Sequence, residues 1–175
     1  LLCTGGILAL SYVASEWGRS TYAQRQGSLE FAELRQNPRP ITMLHEGALY
    51  GRVAIRSLEL SAIVFEGVEE KTLAKGVGHL PIAENGNRRI VLAGHRDTFF
   101  RPLREIQVGD PIELSMPQGT NIYTVTSTAV VDPDNTDVIQ ATGVPMLTLI
   151  TCYPFSFLGP APQRFIVDAV LTHTR

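Results

Sequence analysis

The sequence predicts a mostly β domain, built as an antiparallel-rich barrel or sandwich. Three observations carry that expectation. Short runs rich in Val, Ile, Leu and Thr recur from residue 49 to residue 172, punctuated by Gly, Pro, Asn and Asp. Only two intervening stretches, 69–75 and 99–106, carry a helical pattern, and each is a turn or two long. Strands and helices do not alternate in the βαβ manner, which argues against a parallel sheet. A chain of 175 residues with 44% hydrophobic content supports one well-formed core. A net charge of −2 with both signs interspersed leaves no electrostatic footprint for nucleic acid.

The chain begins with an apolar run, residues 1–13, interrupted only by the hydroxyls of Thr4 and Ser11. That is shorter than the ~20 residues a helix needs to cross a bilayer. The run reads as the remnant of a membrane anchor (residues 1–15), with a signal-peptide remnant or a core helix as alternatives. Tyr12 and Trp17 suit an interfacial position at its end. Residues 16–36 carry spaced apolar side chains, Trp17, Tyr22, Ala23, Leu29, Phe31 and Leu34, as a helix would. Gly27-Ser28 should break that helix, and Asn37-Pro38 should end it. Pro38-Arg39-Pro40 then reads as an extended linker, closing a helix-and-linker segment at 16–40 that acts as a tether. The folded domain occupies 41–175.

Within that domain, 49–55 and 61–65 read as strands. Gly76 and Gly78 stop the short helix at 69–75. Residues 89–92 form a compact apolar strand leading into His95. Gly109-Asp110 opens a strand at 111–114, and 121–131 alternates as a long strand with one exposed face. Val144-Pro145 precedes an apolar β-branched run that ends abruptly at Thr151-Cys152, because Pro154 and Pro160 forbid its continuation. The last strand runs from Arg164 to Thr172.

Two cysteines, Cys3 and Cys152, make no disulfide framework. A lone thiol is by default a buried, inert side chain. Cys152 instead sits at a strand end, where a nucleophile needs to be. His95 ends another apolar strand, and Arg164 opens the one after Cys152. Attacker, proton handler and oxyanion stabiliser are the parts of a thiol-nucleophile site. His45, His79 and His173 lack a comparable setting and read as surface or packing residues. Asp97 lies two residues from His95 and imitates a triad member. Neither CxxC nor HxxxH spacing accompanies His95, Asp97 and Cys152, so a zinc site is not expected. The acidic clusters Glu66, Glu69, Glu70 and Asp134, Asp137 read as solvated loops rather than a calcium site.

The stretch Thr148-Leu149-Ile150-Thr151-Cys152 resembles the TLxTC signature of the sortase family. Arg164 matches the arginine that follows on the family's next strand, and Ala93-Gly94-His95-Arg96 matches its histidine segment. Gly94-His95-Arg96-Asp97-Thr98-Phe99-Phe100 and the wording from Tyr153-Pro154-Phe155 to Gly159-Pro160-Ala161-Pro162 look most like class D. The resemblance runs from about residue 49 to 170. It implies an eight-stranded β-barrel with one or two short helices, preceded by the N-terminal helix or anchor. It also implies a cysteine transpeptidase with Cys152, His95 and Arg164 as catalytic residues and no cofactor. Thr151 and Tyr153, which flank the thiol, would touch substrate. Asp97 would be secondary, because the family pattern uses an arginine instead. The implied partners are proteins bearing an LPxTG-like C-terminal sorting signal and a peptidoglycan precursor or other amine acceptor. The implied location is the extracytoplasmic face of the cell membrane, reached by a single-pass anchor. Two alternatives stand beside this reading: an L,D-transpeptidase-like or hydrolytic cysteine enzyme, whose HGT and SxGC patterns are absent, and a binding barrel with an inert thiol.

Overall fold

The computed structural model describes residues 2–37, 44–81, 88–156 and 159–175, with side chains from Gly18 onward. Eight strands close into a barrel: β1 (Leu49–Ile55), β2 (Leu60–Glu66), β3 (Val77–His79), β4 (Arg89–Ala93), β5 (Pro111–Met116), β6 (Gly119–Val131), β7 (Met146–Tyr153) and β8 (Gln163–Thr174). Around the barrel the order is β1-β2-β3-β4-β7-β8-β6-β5, and β5 returns to β1. Closure leaves no sheet edge to template aggregation. Inward positions alternate along each strand, as a period of two requires: Val53 and Ile55, Ala62 and Val64, Leu147 and Leu149, Val167 and Ala169 meet in one core with Phe100 and Leu103.

The expected mostly β fold is the one observed, and the expected strands fall within the observed ones to within a few residues. Three features differ. β3, only three residues long, was not expected as a strand. The barrel also contains two parallel pairs, β2–β3 and β4–β7, although no βαβ pattern announces them. The 99–106 segment forms a five-residue 3-10 turn, Arg101–Glu105, and the 69–75 segment the short helix α2 (Glu70–Leu73).

The third difference concerns the N-terminal helix α1 (Leu2–Gln36), which runs unbroken through Gly27-Ser28. Gly27 is the point where α1 presses on the barrel. A Cβ there would sit 2.9 Å from Cγ2 of Ile63, so the missing side chain permits contact instead of breaking the helix. Gln24, Gly27, Phe31 and Leu34 share one face, at helical spacing. Phe31 is buried with Leu49, Ile63 and Phe65, and Leu34 packs beside them. The Gln24 side chain accepts from the Ile63 backbone N–H at 2.8 Å and donates to the Lys75 carbonyl at 2.9 Å. Ile63 lies just before β2 gains β3 as a partner, so Gln24 satisfies backbone that the ladder leaves open. The second half of α1 is therefore docked on the barrel, not held off it as a tether. The linker expected at Pro38-Arg39-Pro40 lies outside the described residues. So do the side chains of residues 1–17, Tyr12 and Trp17 among them. Among the described residues no helix is long and apolar enough to cross a membrane.

Candidate active site

β4, β7 and β8 lie side by side, and their register brings the three candidate residues into one row. β7 and β8 are antiparallel, with Cys152 directly opposite Arg164. Such a pair sets the two Cβ atoms about 5 Å apart on one face. β4 and β7 are parallel, and Arg89, Val91 and Ala93 align with Met146, Thr148 and Ile150. The ladder continues past β4, because Gly94 N–H donates to the Ile150 carbonyl at 3.1 Å. The same offset of 57 residues then aligns Gly94 with Thr151 and His95 with Cys152. His95, Cys152 and Arg164 thus span two strand spacings, roughly 10 Å, with the thiol in the middle.

The row lies on the outer face of the barrel. Leu147, Leu149, Val167 and Ala169 point inward, so Thr148, Ile150 and Cys152 alternate outward together with Arg164, Ile166 and Asp168. Cys152, His95 and Arg164 are each half-buried: accessible, yet partly shielded from water.

Local contacts fix each member. Thr151 is 2% exposed and donates its hydroxyl to the Gly94 carbonyl at 2.7 Å, joining the two strand ends. A side chain committed in this way holds the two strand ends together. Gly94 is a close-approach position, since a Cβ would sit 2.8 Å from Cδ2 of the fully buried Phe100. Phe100 N–H donates to the His95 carbonyl at 3.0 Å, closing the turn that follows the histidine. Tyr153 stacks on Phe165 at 6.3 Å and meets Phe155 edge-on at 6.0 Å. Its ring belongs to an aromatic trio with Phe155 and Phe165. Arg164 Nη1 donates to the Gln163 and Ala161 carbonyls at 3.0 and 3.3 Å. That braces the planar fork and leaves Nη2 and Nε as donors for a further acceptor. Arg96 Nη2 donates to the Gly159 carbonyl at 2.9 Å, tying the loop after His95 to the loop after Cys152.

Asp97 is exposed in the turn after His95. Among the described residues no group of three acidic, His or Cys side chains could hold a metal ion. Glu66 accepts from or pairs with His79 Nδ1 at 2.8 Å, and Glu69 pairs with Lys71 at 2.8 Å. His79, expected only as a packing or surface residue, also stacks on Tyr50. His45 and His173 are exposed. The contacts that the sequence reading missed, those of Thr151, Gly94 and Arg96, are visible only once the register is known.

Comparison with known proteins agrees with this geometry. The family model described as the sortase domain matches residues 53–172. Sortase D of Bacillus subtilis is 39% identical over 126 residues, which cover 69% of this chain and 63% of that protein. Sortase A of Listeria monocytogenes is 33% identical over 60% of this chain and 50% of its own length. The chain therefore spans between half and two thirds of these curated relatives. Among solved structures, a Clostridium perfringens sortase D5 transpeptidase superposes with a TM-score of 0.73 at 22% identity, covering 89% of this chain and 99% of that one. Listeria monocytogenes sortase A superposes with a TM-score of 0.65 at 28% identity, covering 73% and 89%.

Proposed function

The chain belongs to the sortase family, and from that membership we propose that it is a cysteine transpeptidase acting on C-terminal sorting signals of the LPxTG type. The observation that carries the proposal is the row His95–Cys152–Arg164 across β4, β7 and β8.

In this mechanism Cys152 Sγ attacks the carbonyl carbon of the signal's threonine. Negative charge gathers on the carbonyl oxygen, where the free N–H groups of Arg164 hold it. As the tetrahedral intermediate collapses, the C–N bond breaks and His95 protonates the departing amine. The products are a thioester on Cys152 and the released C-terminal peptide. An incoming amine then attacks the thioester, gives a proton to His95, and leaves joined to the substrate by a new amide bond as the thiolate departs. A peptidoglycan precursor or another surface amine is the acceptor in this reading.

The outer face supports a peptide path of suitable length. Thr148 and Cys152 are four residues apart on β7, which makes about 13 Å of strand. That matches the length of the four residues preceding the scissile bond in extended form, with Thr148 itself closed to solvent. The half-buried Ile150 lies between, beside the covered Ile166. Both substrates of such a reaction meet at the outer surface of the cytoplasmic membrane, so the proposed location is there, with the N-terminal helix leading to the anchor.

Mass-spectrometric screening of a pentapeptide library, using protein in which Cys3 is replaced by Ala, tests the proposal. Cleavage after threonine in LPxT-containing members that is lost in Cys152→Ala supports it. Cleavage that persists in Cys152→Ala contradicts it, and a Cys152 inert to small alkylating agents would favour a binding barrel.

A further inference from the structure

Arg89 opens β4, yet its side chain is only 9% exposed. It lies on the same outer face as Cys152, at the far end of the peptide path, aligned with Met146. The two hydrogens of its Nη1 are shared among three oxygens: Asp168 Oδ1 at 2.8 Å, Thr148 Oγ1 at 2.6 Å and the Val138 carbonyl at 3.0 Å. Thr148 gives its own hydroxyl proton to the same Asp168 oxygen at 2.6 Å, so it accepts from Arg89. Asp168 and Thr148 lie on the same outer face, on β8 and β7, with Thr148 closed to solvent. Val138 belongs to the connection between β6 and β7, within a 3-10 turn at Asp137–Ile139.

No other hydrogen bond among the described residues ties that connection to the barrel. Among the described residues, the other hydrogen bonds of 132–144 close on the segment itself. Asp137 N–H donates to Asn135, the Gln140 amide to Asp137, and the Thr142 hydroxyl to the Val144 carbonyl. Residues 132–137 are exposed, whereas Val138 and Ile139, beside the arginine, are half-buried. A long connection whose regular structure is a single 3-10 turn keeps one position only if something fixes it. A desolvated guanidinium paired with a carboxylate is a firm anchor, because breaking it strands a charge.

We propose that Arg89 is a positioning residue for substrate binding. Through the Val138 carbonyl it pins the 132–144 connection beside the outer face and so fixes one wall of the peptide path. The proposal rests on the transpeptidase reading above. With the anchor cut, the connection samples many conformations and binding has to order it, so the effect falls on KM. The thiol lies six residues along β7 from Met146, the level of Arg89, so the chemical step is spared.

The test compares Arg89→Met with Arg89→Lys, whose ammonium offers three donors for the three oxygens. Amide exchange across 132–144 reads the anchor, and kinetics on an LPxTG peptide read its consequence. Arg89→Met should speed exchange of that segment at least fivefold, raise KM at least tenfold, and leave kcat and the rate of Cys152 alkylation within about twofold. Arg89→Lys should restore KM to within about threefold of the parent. Unchanged exchange in Arg89→Met overturns the anchor, and faster exchange with unchanged KM overturns the positioning role. Equal losses in kcat and alkylation would mean general damage and also overturn it. If Arg89→Met does not fold, Asp168→Asn replaces it with the same criteria. A parent protein that alkylates at Cys152 but cleaves no sorting peptide overturns the transpeptidase reading and the positioning role with it, while exchange still decides the anchor.

Discussion

Thr151 donates its hydroxyl to the Gly94 carbonyl across 2.7 Å, in a place closed to solvent. The residues on either side of that bond are the two that the proposed chemistry needs together, Cys152 after Thr151 and His95 after Gly94. Thr151→Val keeps the shape and removes the bond. We expect it to cost about 1–3 kcal/mol, the penalty of a buried acceptor losing its donor, and to lower kcat more than it raises KM. Denaturant unfolding and peptide kinetics check this together. Unchanged stability and kcat would show that the bond couples nothing.

Gly94→Ala tests the same junction from the other side. The new Cβ would lie 2.8 Å from Cδ2 of Phe100, whose ring is fully buried and cannot withdraw. Overpacking of this kind costs about 1–3 kcal/mol. The strand end should shift, taking His95 out of line, so activity should fall at least tenfold. A variant with the parent's melting temperature and kcat would contradict the close-approach argument.

Much of this arrangement was legible in the sequence, and the exceptions have physical causes. Cys152, His95 and Arg164 stood out because apolar β-branched runs ended or began near them; Cys152 and Arg164 lie one residue inside a strand end, and His95 two residues past one. β3 escaped because Val77-Gly78-His79 is too short to show a period. The parallel β4–β7 pairing escaped because β5 and β6 intervene in the chain, so no local pattern records it. Gly27 looked like a helix breaker because glycine is poor in helices, and its use as a contact point depends on Ile63, 36 positions away. No local pattern marks Arg89, because its partners Thr148 and Asp168 lie far along the chain and meet it only through the register.

Docking of α1 changes what truncation should do. Phe31 buries its ring against Leu49, Ile63 and Phe65, and a buried phenylalanine contributes about 1.5–3 kcal/mol. Phe31→Ala should therefore lower the melting temperature by about 4–8 °C for a loss near 2 kcal/mol. Removal of residues 1–37 should lower it further. Melting temperatures unchanged by both would restore the picture of a free tether.

Arg164→Lys keeps the charge but not the braced fork. An ammonium at the end of a flexible stem cannot present fixed donors to one oxygen. We expect kcat to fall about 100-fold, the usual scale for losing an oxyanion donor, with KM little changed. Near-normal kcat would reduce Arg164 to a source of diffuse positive potential.

The central claim is that Cys152 carries the substrate as a thioester. Intact-mass analysis of the Cys3→Ala protein, quenched in acid soon after mixing with an LPxTG peptide, reads this directly. The account predicts a gain equal to the acyl fragment ending in threonine, located by fragmentation to the peptide containing Cys152, sensitive to hydroxylamine and absent from Cys152→Ala. Peptide cleavage with no adduct on Cys152 under those conditions, or an adduct on another residue, would contradict it.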